Sequence, residues 1–181
     1  MLEIVIPATE GYDEVKEEFT IIYPEQTLRL EHSLVSLSKW EAKWNKPFLS
    51  KQTKTFEETM DYVKCMTITQ NVDPTVYYRL TNAHMEQINK YIELPMTATT
   101  FVDAGGKGGN GELVTSELIY YWMVSLNIPF ECQKWHLNRL LTLIRVCNVK
   151  NQPPKKMSKS EIMSQNAALN AARRKQLNTK G

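Results

Sequence analysis

Apolar and polar positions change their period near residue 32. Before it, Leu2–Ile6 is a short apolar run stopped by Pro7, Phe19–Tyr23 is a second stopped by Pro24, and Leu28, Arg29, Leu30 and Glu31 alternate. Short runs of this kind, bounded by Pro, Gly and acids, predict three strands of a small antiparallel sheet. From His32 the spacing becomes helical. Ser33 is placed to cap a helix in which Leu37, Trp40, Glu41 and Trp44 share a face and which Pro47 ends, while Ser38-x-x-Glu41 offers a second start. Thr55-x-x-Glu58 is a capping box opening a helix through about Met66, with Met60 and Val63 at helical spacing. Asp73-Pro74 reads as a cap followed by proline at the first helical position, and two helical pieces follow, over roughly 74–80 and 82–93, closed by Pro95.

Residues 103–112 hold five of the seven glycines, a loop composition dividing an α+β front from an all-helical back. Thr115 then starts a helix to about Leu126 whose LIYYWMV stretch is apolar on every side, which requires full burial or a partner. A longer helix covers about 130–148, with Leu137, Leu140, Leu141 and Ile144 as its stripe, and the short connection predicts antiparallel neighbours. Asn151-Gln-Pro-Pro interrupts the pattern. Ser158-x-x-Glu161 caps a last helix whose Ile162, Leu169 and Leu177 give too little apolar area to hold it down alone, so it projects into solvent or docks. The fold class is therefore α+β, mainly α: a small N-terminal antiparallel β element (1–31), a helical domain (32–150) with its glycine-rich loop at 103–112, and a basic C-terminal helical tail (151–181).

Composition narrows the classes. In 181 residues, 42% are hydrophobic and the net charge is +2, which suits a folded core and gives no general attraction to nucleic acid. The charge is uneven, though: residues 1–30 carry seven acids against Lys16 and Arg29, and residues 151–181 carry seven bases against Glu161. Cys65, Cys132 and Cys147 are odd in number and free of C-x-x-C spacing, as expected of packed thiols in a reducing compartment. With no secretory pattern at the start and no apolar run near the ~20 residues a bilayer requires, the expectation is a cytoplasmic chain with no membrane contact.

No motif points to catalysis, a cofactor or a metal. Lys156-Met-Ser-Lys-Ser160 matches the phosphate-steadying string of class I aminoacyl-tRNA synthetases, but the nucleotide-binding α/β domain and the H-x-G-H element that give it meaning are missing. Gly106-x-Gly108-x-x-Gly111 has no βαβ unit around it and reads as a flexible loop. Cys132 and His136 stand four apart, with no further ligands near them in sequence, so a buried thiol and a hydrogen-bonded imidazole are expected. The acid pairs Glu17-Glu18 and Glu57-Glu58 fall at exposed-looking element ends, where the second suits a helix dipole. The basic tail could meet phosphates, but residues 151–181 contain no aromatic ring to stack on bases, so nucleic acid is disfavoured. The remaining candidates are partner contacts. Trp40, Trp44, Trp122 and Trp135 lie in helices, Tyr120, Tyr121 and Trp122 in succession cannot all face one core, and Arg173 and Arg174 mark the tail.

Three segments together carry a resemblance: residues 30–41 (LEHSLVSLSKWE), residues 128–139 (IPFECQKWHLNR), and the Asn-x-Ala-Leu-Asn-x-Ala-Arg-Arg tail at 166–174. The chain resembles the tail assembly chaperones of tailed bacteriophages from about residue 28 to 181. The resemblance implies a non-enzymatic protein of the host cytoplasm that coats the tape measure protein, or another tail protein, while the tail tube is built and then leaves. It also implies a C-terminal extension, in some members lengthened by a frameshift, and no catalytic residue. Eight methionines and eight tyrosines suit such adaptable contacts, and the opposite charges of the two ends permit head-to-tail homo-oligomers. The alternatives are a head–tail or tail adaptor of the virion and a nucleic-acid-binding module.

Overall fold

The β element is a nested pair of two-stranded ladders. A computed structural model of the protein describes residues 1–15, 17–101, 113–152 and 159–177, with Glu161 as backbone alone. Strand β1 (Leu2–Ile6) pairs antiparallel with β4 (Gln26–Leu30), and β2 (Thr9–Asp13) pairs with β3 (Glu18–Tyr23). The chain therefore runs out and back as a ribbon interrupted at Pro7 and Pro24. The sequence reading expected three strands in one sheet; the fourth, TEGYD, has no apolar alternation and is set by its partner. At Gly11 an added Cβ would meet the end of the exposed Ile22 side chain, which would have to turn aside. The base ladder alternates with period two, so Ile4, Ile6, Leu28 and Leu30 are buried while Val5, Thr27 and Arg29 are exposed.

Beyond β4 the chain enters α1 (Leu34–Trp44), capped by Ser33, whose side chain accepts from the Ser36 N–H while Ser36 Oγ accepts from the Ser33 N–H. The alternative start at Ser38 is not used. Asn45, in the left-handed conformation, ends α1 before Pro47 is reached. The capping box at Thr55 opens α2 (Phe56–Met66) as its spacing predicts, and Asp73 caps a 3-10 helix, Pro74–Arg79, that leads to α3 (Asn82–Glu93). Helix α4 (Ser116–Ser125) follows, capped by Thr115.

The helix expected over 130–148 is broken. Phe130–Lys134 is a 3-10 helix, and α5 (Leu137–Asn151) begins only after the chain has paired with an earlier segment. Ser33 and His136 form a β-bridge, and the Leu137 N–H donates to the His32 carbonyl at 2.7 Å, which diverts the backbone from helical geometry.

Two hydrophobic clusters form the interior. The first joins the base ladder to Trp40, Tyr62, Val63, Met66, Val76 and Ile88; the second joins Leu34 and Leu37 to Ile119, Met123, Leu137, Leu140 and Ile144. Each fully buried Leu or Ile contributes about 1.5–3 kcal/mol. Because α1 supplies residues to both clusters, the glycine-rich stretch does not divide the core into front and back. Helix α4 lies close along α1, and α4 and α5 meet in the second cluster, where Ile119 and Met123 join Leu137, Leu140 and Ile144. Met1–Asn148 is one compact unit and Val149–Gly181 another. In the second, α6 (Lys159–Leu177) has every described side chain exposed. The glycine-rich loop at 103–112, the Lys156–Ser158 part of the synthetase-like string and the Ser158 cap lie outside the described residues. No helix among the described residues is long and apolar enough to cross a membrane.

Candidate protein-interaction surface

A groove of about 560 Å³ opens between the C-terminal end of α1, helix α2, the 3-10 helix and the start of α3. Its inner lining is Trp44, Met60, Leu80 and Met85, half-buried and packed against the first cluster. Its rim carries Phe56 and Tyr78, which are 78% and 84% exposed. Local sequence explains the rim. Phe56 is the first residue after the Thr55 cap, where the side chain stands clear of the following turns, and of the neighbours Tyr77 and Tyr78 only Tyr77 turns inward, its hydroxyl donating to Thr67 Oγ1 at 3.0 Å.

The polar groups of the groove are anchored rather than poised for chemistry. Asp61, buried, accepts from Trp44 Nε1 at 3.0 Å and pairs with Lys43 Nζ at 2.5 Å, which fixes the indole in the lining. Outside the groove, Glu58, one of the acids expected at an exposed helix end, is buried; Lys46, at 2.6 Å, and the Thr55 N–H hold its carboxyl below the usual carboxylate range. Lys64 stands over the Tyr77 ring at 5.6 Å. What the arrangement offers is a concave apolar surface of aromatic rings and flexible thioethers with charged edges, the features of a seat for an amphipathic helix.

The candidate residues from the sequence fall on separate faces. Trp44 lines the groove. Trp40 is sealed in the first cluster at 1% exposure, its Nε1 donating to the Glu58 carbonyl at 2.8 Å, so it is a core residue and cannot touch a partner. Of the all-apolar stretch, only Ile119 and Met123 are fully buried, and Tyr121 and Val124 are exposed. Tyr120 is half-buried and donates to Gln133 Oε1 at 2.9 Å, while Trp122 lines a separate apolar recess with Pro47, Leu49, Val114 and Leu141. Trp135 is half-buried beneath the Arg139 guanidinium, 4.2 Å away. Arg173 and Arg174 are exposed on α6. Sequence reasoning missed Phe56, Met60, Tyr78 and Met85; the usable signal was an aromatic residue at a first helical position and a Tyr-Tyr pair in one short helix.

Cys132 is buried in the second cluster, and His136 is hydrogen-bonded to the Tyr91 carbonyl at 3.0 Å. The break after Lys134 removes them from a common helix. Among the described residues no three His, Cys, Asp or Glu side chains gather as metal ligands would. Comparison of the chain with protein-family models, curated proteins and solved structures finds no match.

Proposed function

We propose that this chain is a non-enzymatic assembly chaperone of tailed-bacteriophage tails, working in several copies in the host cytoplasm to keep the tape measure protein soluble while the tail tube forms. The observation that carries the reading is the open groove of Trp44, Phe56, Met60, Tyr78 and Met85, an aromatic and methionine surface left uncovered where a small protein normally keeps such side chains inside. A long helical protein awaiting its tube presents repeated amphipathic turns, and a groove of this shape takes one such segment by its apolar face. The resemblance of residues 30–41, 128–139 and 166–174 to this family supports the same reading.

Co-expression with a phage tape measure protein tests it. The wild-type chain is expected to hold the tape measure protein in the soluble fraction, and a Phe56→Ser, Tyr78→Ser double variant to lose most of that capacity while keeping its own thermal midpoint. An insoluble tape measure protein beside abundant wild-type chain overturns the proposal. The second reading, a permanent adaptor of the virion, is favoured by one observation, the outlying β2–β3 ladder with its exposed apolar side chains, which is arm-like. Purified particles separate the two: an assembly factor is absent from them, an adaptor present at fixed copy number.

A further inference from the structure

The β2–β3 ladder buries no side chain fully. Tyr12, Phe19, Ile21 and Ile22 are all exposed, Phe19 by 73% and Ile21 by 64%. On one face of the pleat, Tyr12 sits opposite Phe19 with ring centroids 5.2 Å apart, and Glu10 sits opposite Ile21. Exposed Glu14, Glu17 and Glu18 surround the turn. This is an apolar strip with an acidic border, and a two-stranded ladder leaves an unpaired edge on each side.

Helix α6 carries the complementary pattern. At 100° per residue, Ile162, Leu169, Arg173 and Leu177 fall within one stripe, so a guanidinium stands in the middle of the helix's apolar face, with Arg174 on its flank and Lys175 on the opposite side of the helix. All four are exposed. Two ribbon tips facing each other would set acid against acid, and two such helix ends side by side would set arginine against arginine. Pairing of unlike surfaces satisfies both charge and apolar burial, and on identical chains such a heterologous contact propagates to rings or filaments.

We propose that the β2–β3 tip is the docking surface for α6 of a second copy of the chain. This goes beyond the groove, which remains free for a different polypeptide, and gives the protein a means of lining up several copies along one long partner.

The experiment uses the full chain without any tape measure protein, so its result is independent of the chaperone reading. Light scattering on a size-exclusion column is expected to show a mass that rises with concentration at low salt and falls toward the monomer at high salt. Two variants reverse the charges: Glu14→Lys, Glu17→Lys, Glu18→Lys on the tip, and Arg173→Glu, Arg174→Glu, Lys175→Glu on α6. Each alone is expected to be monomeric with an unchanged far-ultraviolet spectrum. Mixed in equal amounts they are expected to associate again, because each then offers the surface the other lacks. A monomer in every condition, an oligomer indifferent to either variant, or a mixture that stays monomeric overturns the proposal.

Discussion

At the residue scale, single buried polar groups fix more than the apolar stripes do. The Glu41 carboxylate is buried on α1, where Oε1 accepts from the Phe48 N–H at 2.8 Å and Oε2 accepts from the Ser116 N–H at 2.7 Å. Ser116 is the first residue of α4, so the carboxylate sits at the positive end of that helix and ties it to α1 across 75 positions of sequence. Glu41→Ala is expected to cost about 3 kcal/mol, since it orphans the buried Ser116 N–H and the part-buried Phe48 N–H. Urea denaturation checks this, and a loss under about 1 kcal/mol would show that water replaces the carboxylate. The sequence placed Glu41 on the same face as Trp40 and Trp44 but gave no hint of its partners, because both lie in segments brought there by folding. It likewise left Trp40 and Trp44 equivalent, whereas one is core and the other lines the groove.

At the element scale, the ribbon is divided by its fastening. Its base is held by burial of Ile4, Ile6, Leu28 and Leu30; its outer half has no such burial. Arg79, at the end of the 3-10 helix, donates to the Pro24 carbonyl at 3.3 Å and to the Pro7 carbonyl, and lies 5.3 Å from the centre of the Tyr23 ring. The guanidinium therefore clasps both strands at the two prolines, where neither can complete a ladder. Arg79→Ala is expected to leave the helices intact and to raise amide exchange in β2 and β3 about tenfold, equivalent to about 1.4 kcal/mol of local stability. Unchanged exchange there would mean that the outer ladder holds its own position. The prolines were legible as strand ends in the sequence. The clasp was not, since Arg79 lies 55 residues from Pro24 and looked like any helix-terminal base.

At the scale of the whole molecule, the two clusters are joined at a seam containing a pair of buried histidines. His32 and His136 have ring centroids 5.1 Å apart, with Tyr62 Oη 2.5 Å from His32 Nδ1 and the Tyr91 carbonyl 3.0 Å from His136 Nε2. The Asn138 N–H reaches His136 Nδ1 at 3.3 Å, which makes the neutral ring with hydrogen on Nε2 the one that satisfies both contacts. Burial first, then the neighbouring His136, lowers His32 to about 4, and burial lowers His136 as well. Since the unfolded chain binds these protons near pH 6.5 and the folded chain does not, stability is complete above that pH and is lost as the pH falls toward 4. For His32 alone the loss approaches about 3 kcal/mol. Urea midpoints measured from pH 7.5 to 4 should fall across this window, and a flat profile would contradict the buried neutral pair. What the sequence determined by itself was local: the caps at Ser33, Thr55, Asp73 and Thr115, the two-residue and helical periods, and the prolines that end strands, because neighbouring residues settle these through their own backbone geometry. Tertiary structure alone decided that Ser33 and His136 pair and so break a helix, that α1 serves two cores, and that Phe56 and Tyr78 face outward. Those outcomes depend on which distant segments compete for the same buried space, and periodicity along one chain carries no record of that competition.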